Sequence, residues 1–219
     1  MISKIKNLLI YFLRYYSILS TTYEVTDKIN FGSSLSNNYF KKNLRKCNFY
    51  LEYGSGNSTF LANKLHKKYK SIEADKSFYR FMKTKKIRNI KYLDLGPTKY
   101  YSIPILPTNL IKKKIEKYAI QIEEFYKTFN KIPDLILLDG RFRVFVTLKI
   151  IKFCLSKKDF LNTIIIIDDF KFRKDYHLIK KIINMNLVGR FGVIKLNKKL
   201  KINKIKLDEF LKISILNYI

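Results

Sequence analysis

Short apolar runs and longer stretches with an apolar residue at every third or fourth position take turns along this chain. A short continuous run suits a buried strand, and three-to-four spacing suits a helix with one buried face. The pattern predicts strands over Asn48–Glu52, Lys70–Ala74, Ile90–Leu93, Asp134–Leu138 and Thr163–Ile167, and a late strand over Leu187–Leu196. It predicts helices over Ser58–Lys70, Ser77–Lys86, Leu110–Phe129, Val144–Leu155, Asp175–Asn184 and Leu207–Tyr218. Ile111, Ile115, Tyr118, Ile122 and Phe125 give the clearest of these helical faces. Ahead of them, Met1–Leu19 reads as an amphipathic helix with Ile5, Leu9, Phe12, Tyr16 and Leu19 on one side, followed by a polar segment, Thr26–Asn38. Successive β-α units imply an α/β fold with a doubly wound, mostly parallel sheet. Residues 46–219 are expected to form that domain, and residues 1–45 an N-terminal helical extension.

Sheets of this kind bind ligands outside the carboxyl ends of their strands. The first predicted strand ends in Glu52, the second in Glu73 and Asp75, the third in Asp94, the fourth in Asp139 and the fifth in Asp168 and Asp169. The chain has only 17 acidic residues, so their gathering on one sheet edge calls for an explanation. After Glu52 comes a glycine turn, Gly54-Ser55-Gly56, with a strand before it and a helix after it. An acid then falls at Glu73, placed to accept bonds from ribose hydroxyls. A dinucleotide fingerprint would need a third glycine where Thr59 stands. Glu52 would also repel a pyrophosphate, whereas it would attract the ammonium of a methionine moiety. These residues favour S-adenosylmethionine over NAD as the cofactor.

Leu51-Glu52-Tyr53-Gly54-Ser55-Gly56 resembles motif I of class I S-adenosylmethionine-dependent methyltransferases, and Ile72-Glu73-Ala74-Asp75 resembles their ribose-binding strand end. With Asp94-Leu95-Gly96-Pro97-Thr98, Leu138-Asp139-Gly140-Arg141-Phe142-Arg143 and Ile167-Asp168-Asp169-Phe170, the set is similar to a little-characterised bacterial methyltransferase-like group with an Asp-Gly-Arg-Phe-Arg signature. The group tends to carry His where this chain has Asp168. The resemblance implies a Rossmann-like methyltransferase fold. It also implies cofactor binding by Glu52, Gly54, Ser55, Gly56 and Glu73, with Asp94 near the adenine. Asp94 reads equally as a turn acid before Gly96-Pro97.

Asp139 and Asp169 are the candidate catalytic residues. A carboxylate within hydrogen-bond reach of an acceptor hydroxyl acts as a general base. Asp139, Asp168 and Asp169 together resemble the strand-end acids of metal-dependent catechol-type O-methyltransferases. That likeness implies Mg²⁺ as an alternative at this place, polarising the acceptor oxygen. Without metal, one acid is catalytic and the others cap helices or pair with Arg. Arg141 and Arg143 either neutralise the acids or hold an anionic acceptor, and Arg173 and Tyr176 are candidates for the acceptor side. The expected acceptor is a small molecule or saccharide. The segments Thr26–Asn38 and Tyr100–Leu110 are expected to shape its pocket.

The net charge of +28 changes the picture less than its size suggests. Of 45 basic residues, 37 are Lys and 8 are Arg, in a chain also rich in Ile, Asn, Tyr and Phe. An A/T-rich genome over-uses these residues whatever the function, and nucleic-acid readers favour the planar fork of Arg. Nonspecific polyanion binding follows from the charge alone. The alternatives are a basic RNA-binding protein, an RNA methyltransferase, or a catalytically inactive nucleotide-binding domain. No run reaches the roughly 18 apolar residues of a membrane span, and residues 1–19 suit packing on the domain or, as the alternative, peripheral membrane contact. Cys47 and Cys154 read as buried, reduced thiols, in keeping with a cytoplasmic protein.

Overall fold

Leu135–Leu138 and Ile164–Ile167 consist wholly of Leu and Ile, which is what strands buried on both faces require. They form β6 and β7 at the centre of a seven-stranded sheet in the computed structural model, which describes residues 5, 6, 9, 24–99, 102–157, 162–197 and 200–214. The other strands of this sheet are β1 (Phe49–Tyr53), β2 (Lys68–Glu73), β3 (Ile90–Tyr92), β8 (Asn186–Val188) and β9 (Phe191–Lys195). The order is β3-β2-β1-β6-β7-β9-β8. The first five run parallel, while β9 is antiparallel to both β7 and β8. A separate two-stranded ribbon pairs β4 (Thr98–Lys99) with β5 (Ile103–Pro104).

Strand alternation sorts the core into two layers. Leu51, Tyr53, Ile136, Leu138, Ile165 and Ile167 face one side. They pack there against Ile115 and Tyr118 of α4 (Lys112–Ala119), Ile122 and Phe125 of α5 (Gln121–Phe129), and α6 (Arg143–Leu155). Tyr50, Leu135, Leu137 and Ile166 face the other side. Phe40 and Leu44 of α1 (Ser34–Lys46) and Ala62 of α2 (Asn57–Lys64) cover them. Helix α3 (Lys76–Thr84) packs Phe81 and Met82 against Ile90, and α7 (Lys204–Ser214) closes the described chain.

Several elements differ from the sequence pattern, among them the helix expected over Ser58–Lys70, which ends at Lys64 because β2 begins at Lys68. The polar segment Thr26–Asn38 runs into α1, which the polar composition hid. Ser33 caps the helix by accepting from the Ser36 N–H, and Ser36, Phe40 and Leu44 bury one stripe. Ser36 is tolerated there because its hydroxyl donates to the Val188 carbonyl and accepts from the Arg190 N–H. The helix expected over Leu110–Phe129 is two helices that meet at Ile120. The late strand is a hairpin, β8 and β9, turning at Gly189-Arg190, and the segment after β7 is a 3-10 helix, Lys174–Lys181. The helix expected over residues 1–19 lies outside the described residues but for 5, 6 and 9. Among the described residues no helix is long and apolar enough to cross a membrane. Both cysteines are buried and free, and burial pushes the Cys47 thiol up to about 12.

Candidate active site

Strands β2 and β3 lie to one side of β1, while β6 and β7 lie to the other, so the order reverses between β1 and β6. A crevice opens at such a switch point. Register decides what faces it. Tyr53 stands opposite Ile72 on one neighbour and Leu138 on the other, and Leu138 stands opposite Ile167. Gly54, Glu73, Asp139 and Asp168 therefore leave the sheet at one level, around a cavity of about 680 Å³. That volume lies in the range of small-molecule sites. Ile29, Asn30 and Phe31 from the N-terminal segment and Ser102 and Ile103 from the ribbon also wall it.

Glu73 lines this cavity and is 5% exposed. Its Oε1 accepts from the Ala74 and Asp75 N–H groups, both at 2.7 Å, and from the Ser102 hydroxyl at 3.3 Å. Its Oε2 accepts from the Ser55 N–H at 3.1 Å and the Ser55 hydroxyl at 2.5 Å. Burial pushes its pKa up, and the Ser55 hydroxyl opposes this. Gly56 also lines the cavity, with nothing within 4 Å of where a Cβ would stand. Asp75 caps α3 through the Ser77 and Phe78 N–H groups.

On the β6–β7 side, the guanidinium of Arg143 uses all five of its N–H groups. Nε donates to the Gly140 carbonyl at 3.0 Å. Nη1 donates to the Asp168 carbonyl at 2.7 Å and to Asp169 Oδ2 at 3.3 Å. Nη2 donates to the Asp139 carbonyl at 3.2 Å and to Asp139 Oδ1 at 2.8 Å. Arg190, from the β8–β9 turn, donates to Asp168 Oδ2 at 2.9 Å, to Asp169 Oδ1, and to the Phe31 carbonyl at 3.0 Å. Arg173 Nε stands 3.7 Å from Asp169 Oδ2. Phe142 and Asp169 hold left-handed backbone, with φ of +55° and +59°. Such conformations cost about 1 to 3 kcal/mol each and persist only where the surroundings over-determine them. Here the Arg143 bonds span both turns.

Asp139 keeps 40% of its side chain accessible and lines the cavity. Burial of the site raises its pKa, Arg143 opposes that, and the charge of Asp169 adds to it. Asp168 is pushed up to about 7, by burial first and by Asp139 second, against the pull of Arg143 and Arg190. Two acids this close do not both ionise freely, so their protons belong to the pair.

Several residues expected at the site take other places. Glu52 is wholly buried and outside the cavity wall. Strand parity turns it to the α2 side with Tyr50. Tyr50 and Ser58 donate to its Oε2 at 2.6 and 2.7 Å, and Thr59 donates to Oε1. Asp94 is also outside the wall. It accepts from the Gly96 N–H at 2.8 Å and pairs with Lys114 at 2.5 Å, the turn-acid alternative. Partial burial raises its pKa, but the Lys114 bond and the Gly96 N–H outweigh this and hold it low. Tyr176 is buried, with the Arg143 and Arg173 guanidinium groups each 5.8 Å from its ring centre, and does not line the cavity. Arg143, expected to bind substrate, has no N–H left for one. Mg²⁺ at Asp139, Asp168 and Asp169 is not supported. Guanidinium groups occupy these carboxylates, and among the described residues no group of three His, Cys, Asp or Glu is placed to hold a metal.

The sequence pattern missed Arg190 and Tyr118. Arg190 had one signal, an Arg beside a glycine in a Lys-biased chain. Tyr118 belongs to a helical stripe that the spacing reads as core, and it does pack there, but it also lines the cavity.

No known family's sequence pattern matches the chain, and no curated protein is significantly similar to it. The crystal structure of a methyltransferase-like protein from Silicibacter pomeroyi DSS-3 is 23% identical, with a TM-score of 0.67 over 84% of this chain and 95% of that one. The fold is that of the methyltransferase-like protein. The SAH-bound Podospora anserina methyltransferase PaMTH1 is 17% identical over 92% of this chain and 88% of its own, at a TM-score of 0.42 that carries no weight here.

Proposed function

We propose that this protein is an S-adenosylmethionine-dependent methyltransferase acting on a hydroxyl of a small-molecule or saccharide acceptor. Glu73 carries the proposal. It is a buried carboxylate, one strand from the glycine turn, that accepts two serine hydroxyls at the wall of a cavity of suitable size. Two ribose hydroxyls would take the places of the Ser55 and Ser102 hydroxyls, while the Ala74 and Asp75 N–H groups keep the carboxylate aimed. The open space at Gly56 fits an approach of ligand to backbone.

When bound, the cofactor supplies a methyl group on a sulfonium. Its transfer to the acceptor oxygen would leave the bonding pair on sulfur and a hydroxyl proton for the chain to remove. The chain's part is orientation and proton transfer. Asp139 takes the hydroxyl proton. Burial, and after it the charge of the neighbouring Asp169, raise its proton affinity against the pull of Arg143, which suits a base working near neutrality. Arg143 fixes the Asp139 carboxylate at 2.8 Å.

Calorimetric titration with S-adenosylmethionine and S-adenosylhomocysteine, on wild type and Glu73→Gln, tests the proposal. Binding that weakens at least about tenfold in the folded variant supports it. A folded wild type that binds neither compound overturns it.

A further inference from the structure

Half of the chain's arginines line one cavity. Arg141, Arg143, Arg173 and Arg190 are four of only 8, and among the described residues not one of the 37 lysines joins them. Where a Lys-biased chain places Arg so selectively, the planar fork is needed. Arg143 and Arg190 meet that need inside the protein, on the carboxylates and carbonyls of β6, β7 and Phe31. Arg173 is 51% exposed and only loosely placed against Asp169.

Arg141 is different. It is half-buried at the cavity wall, and among the described residues no carboxylate comes within 4 Å of it. Every strand-end acid nearby is already held. Asp139 and Asp169 are on Arg143, Asp168 is on Arg190, and Glu73 is on the backbone of residues 55, 74 and 75. Burial and the charges of Arg143 and Arg173 both disfavour its cation. An unpaired, partly buried guanidinium among like charges is costly unless an anion arrives to meet it.

We infer that Arg141, assisted by Arg173, binds a carboxylate or phosphate on the acceptor, so that the substrates are anionic hydroxylated small molecules. This inference rests on the proposed methyltransferase reading for what happens to the hydroxyl, but not for the binding of the anion. Sugar acids and sugar phosphates share the required chemistry, and the experiment separates them.

The test is calorimetric titration with glucuronate, glucose 6-phosphate and uncharged glucose at fixed ionic strength. It compares wild type, Arg141→Gln, Arg173→Gln and Lys131→Gln, the last removing one charge from an exposed site outside the cavity. At least one anionic sugar is expected to bind wild type about tenfold or more tighter than glucose. Arg141→Gln is expected to erase most of that preference, Arg173→Gln part of it, and Lys131→Gln none. Preference for glucuronate assigns a carboxylate, and preference for glucose 6-phosphate assigns a phosphate. If Arg141→Gln fails to fold, the comparison of Arg173→Gln with Lys131→Gln decides. Binding of neither anion, equal binding of glucose, or equal weakening by Lys131→Gln overturns the inference. S-Adenosylhomocysteine is titrated into the same samples. Loss of that binding alone defeats the cofactor assignment and leaves the anion site standing.

Discussion

Gly54 and Gly140 meet backbone to backbone where the sheet reverses its strand order. A Cβ on Gly54 would stand 2.8 Å from the Gly140 nitrogen and from the Asp139 carbonyl, and a Cβ on Gly140 would stand 3.1 Å from the Gly54 nitrogen and strike the Tyr118 hydroxyl. Gly54 also holds φ of +91°, which side-chain-bearing residues avoid. The contact brings the glycine turn of β1 against the acidic turn of β6. Glu73 and Asp139 share one cavity because these two turns touch.

Gly54→Ala is therefore expected to lose at least about 2 kcal/mol of stability, from strain and from separation of the turns. Gly56→Ala, with open space around it, is expected to stay within about 0.5 kcal/mol of wild type. Denaturant unfolding measures both. Because Gly56 lines the cavity, its variant should instead weaken S-adenosylhomocysteine binding, read by calorimetry. Equal stability losses would remove the distinction between the two glycines.

Arg143 stitches the ends of β6 and β7. Replacing it with Ala leaves Asp139 and Asp169 without their shared partner, which should cost about 3 kcal/mol or more. Lys at this place offers one point charge where five N–H groups are used, and should recover little of the loss. Thermal unfolding of the two variants gives the comparison, and near-complete rescue by Lys would show that charge alone matters.

The acid pair makes stability depend on pH. The folded pKa of Asp168 stands at about 7, above the roughly 3.9 of an unfolded Asp, so between those values the folded chain holds more protons. The stabilisation is fully present below about pH 4 and is lost as pH rises through 7. Glu52, Glu73 and Asp139 shift in the same direction. Asp168→Asn should flatten the decline between pH 5 and pH 8, by at most about 1 kcal/mol per pH unit. Unchanged slopes in melting temperature would mean that Asp168 ionises normally in the fold.

Glu52 is held by three hydroxyls beneath α2 and does not touch the cavity. Glu52→Gln should lower stability by about 1 to 3 kcal/mol, because its amide would meet donors where an acceptor is needed. Its affinity for S-adenosylhomocysteine should stay within about threefold of wild type, a change of less than about 1 kcal/mol. A large loss of affinity without loss of stability would return Glu52 to the cofactor.

Much of this protein was legible along the chain. Apolar runs of Ile and Leu identify the central strands, since little else makes a strand that is buried on both faces. The glycine turn, Glu73 and Asp139 could be placed on one edge because parallel strands share their carboxyl ends. What the pattern could not supply was the direction of side chains and the meeting of distant turns. Glu52 and Glu73 both end strands and read alike, yet parity and register send one under α2 and the other to the cavity. Arg190 stands 21 and 22 residues beyond Asp169 and Asp168 and reaches them only because β8 and β9 fold back beside β7. Local spacing determines which residues become helix or strand, because those bonds close within a few residues. Which charge meets which is decided by strand order, a property of the whole sheet.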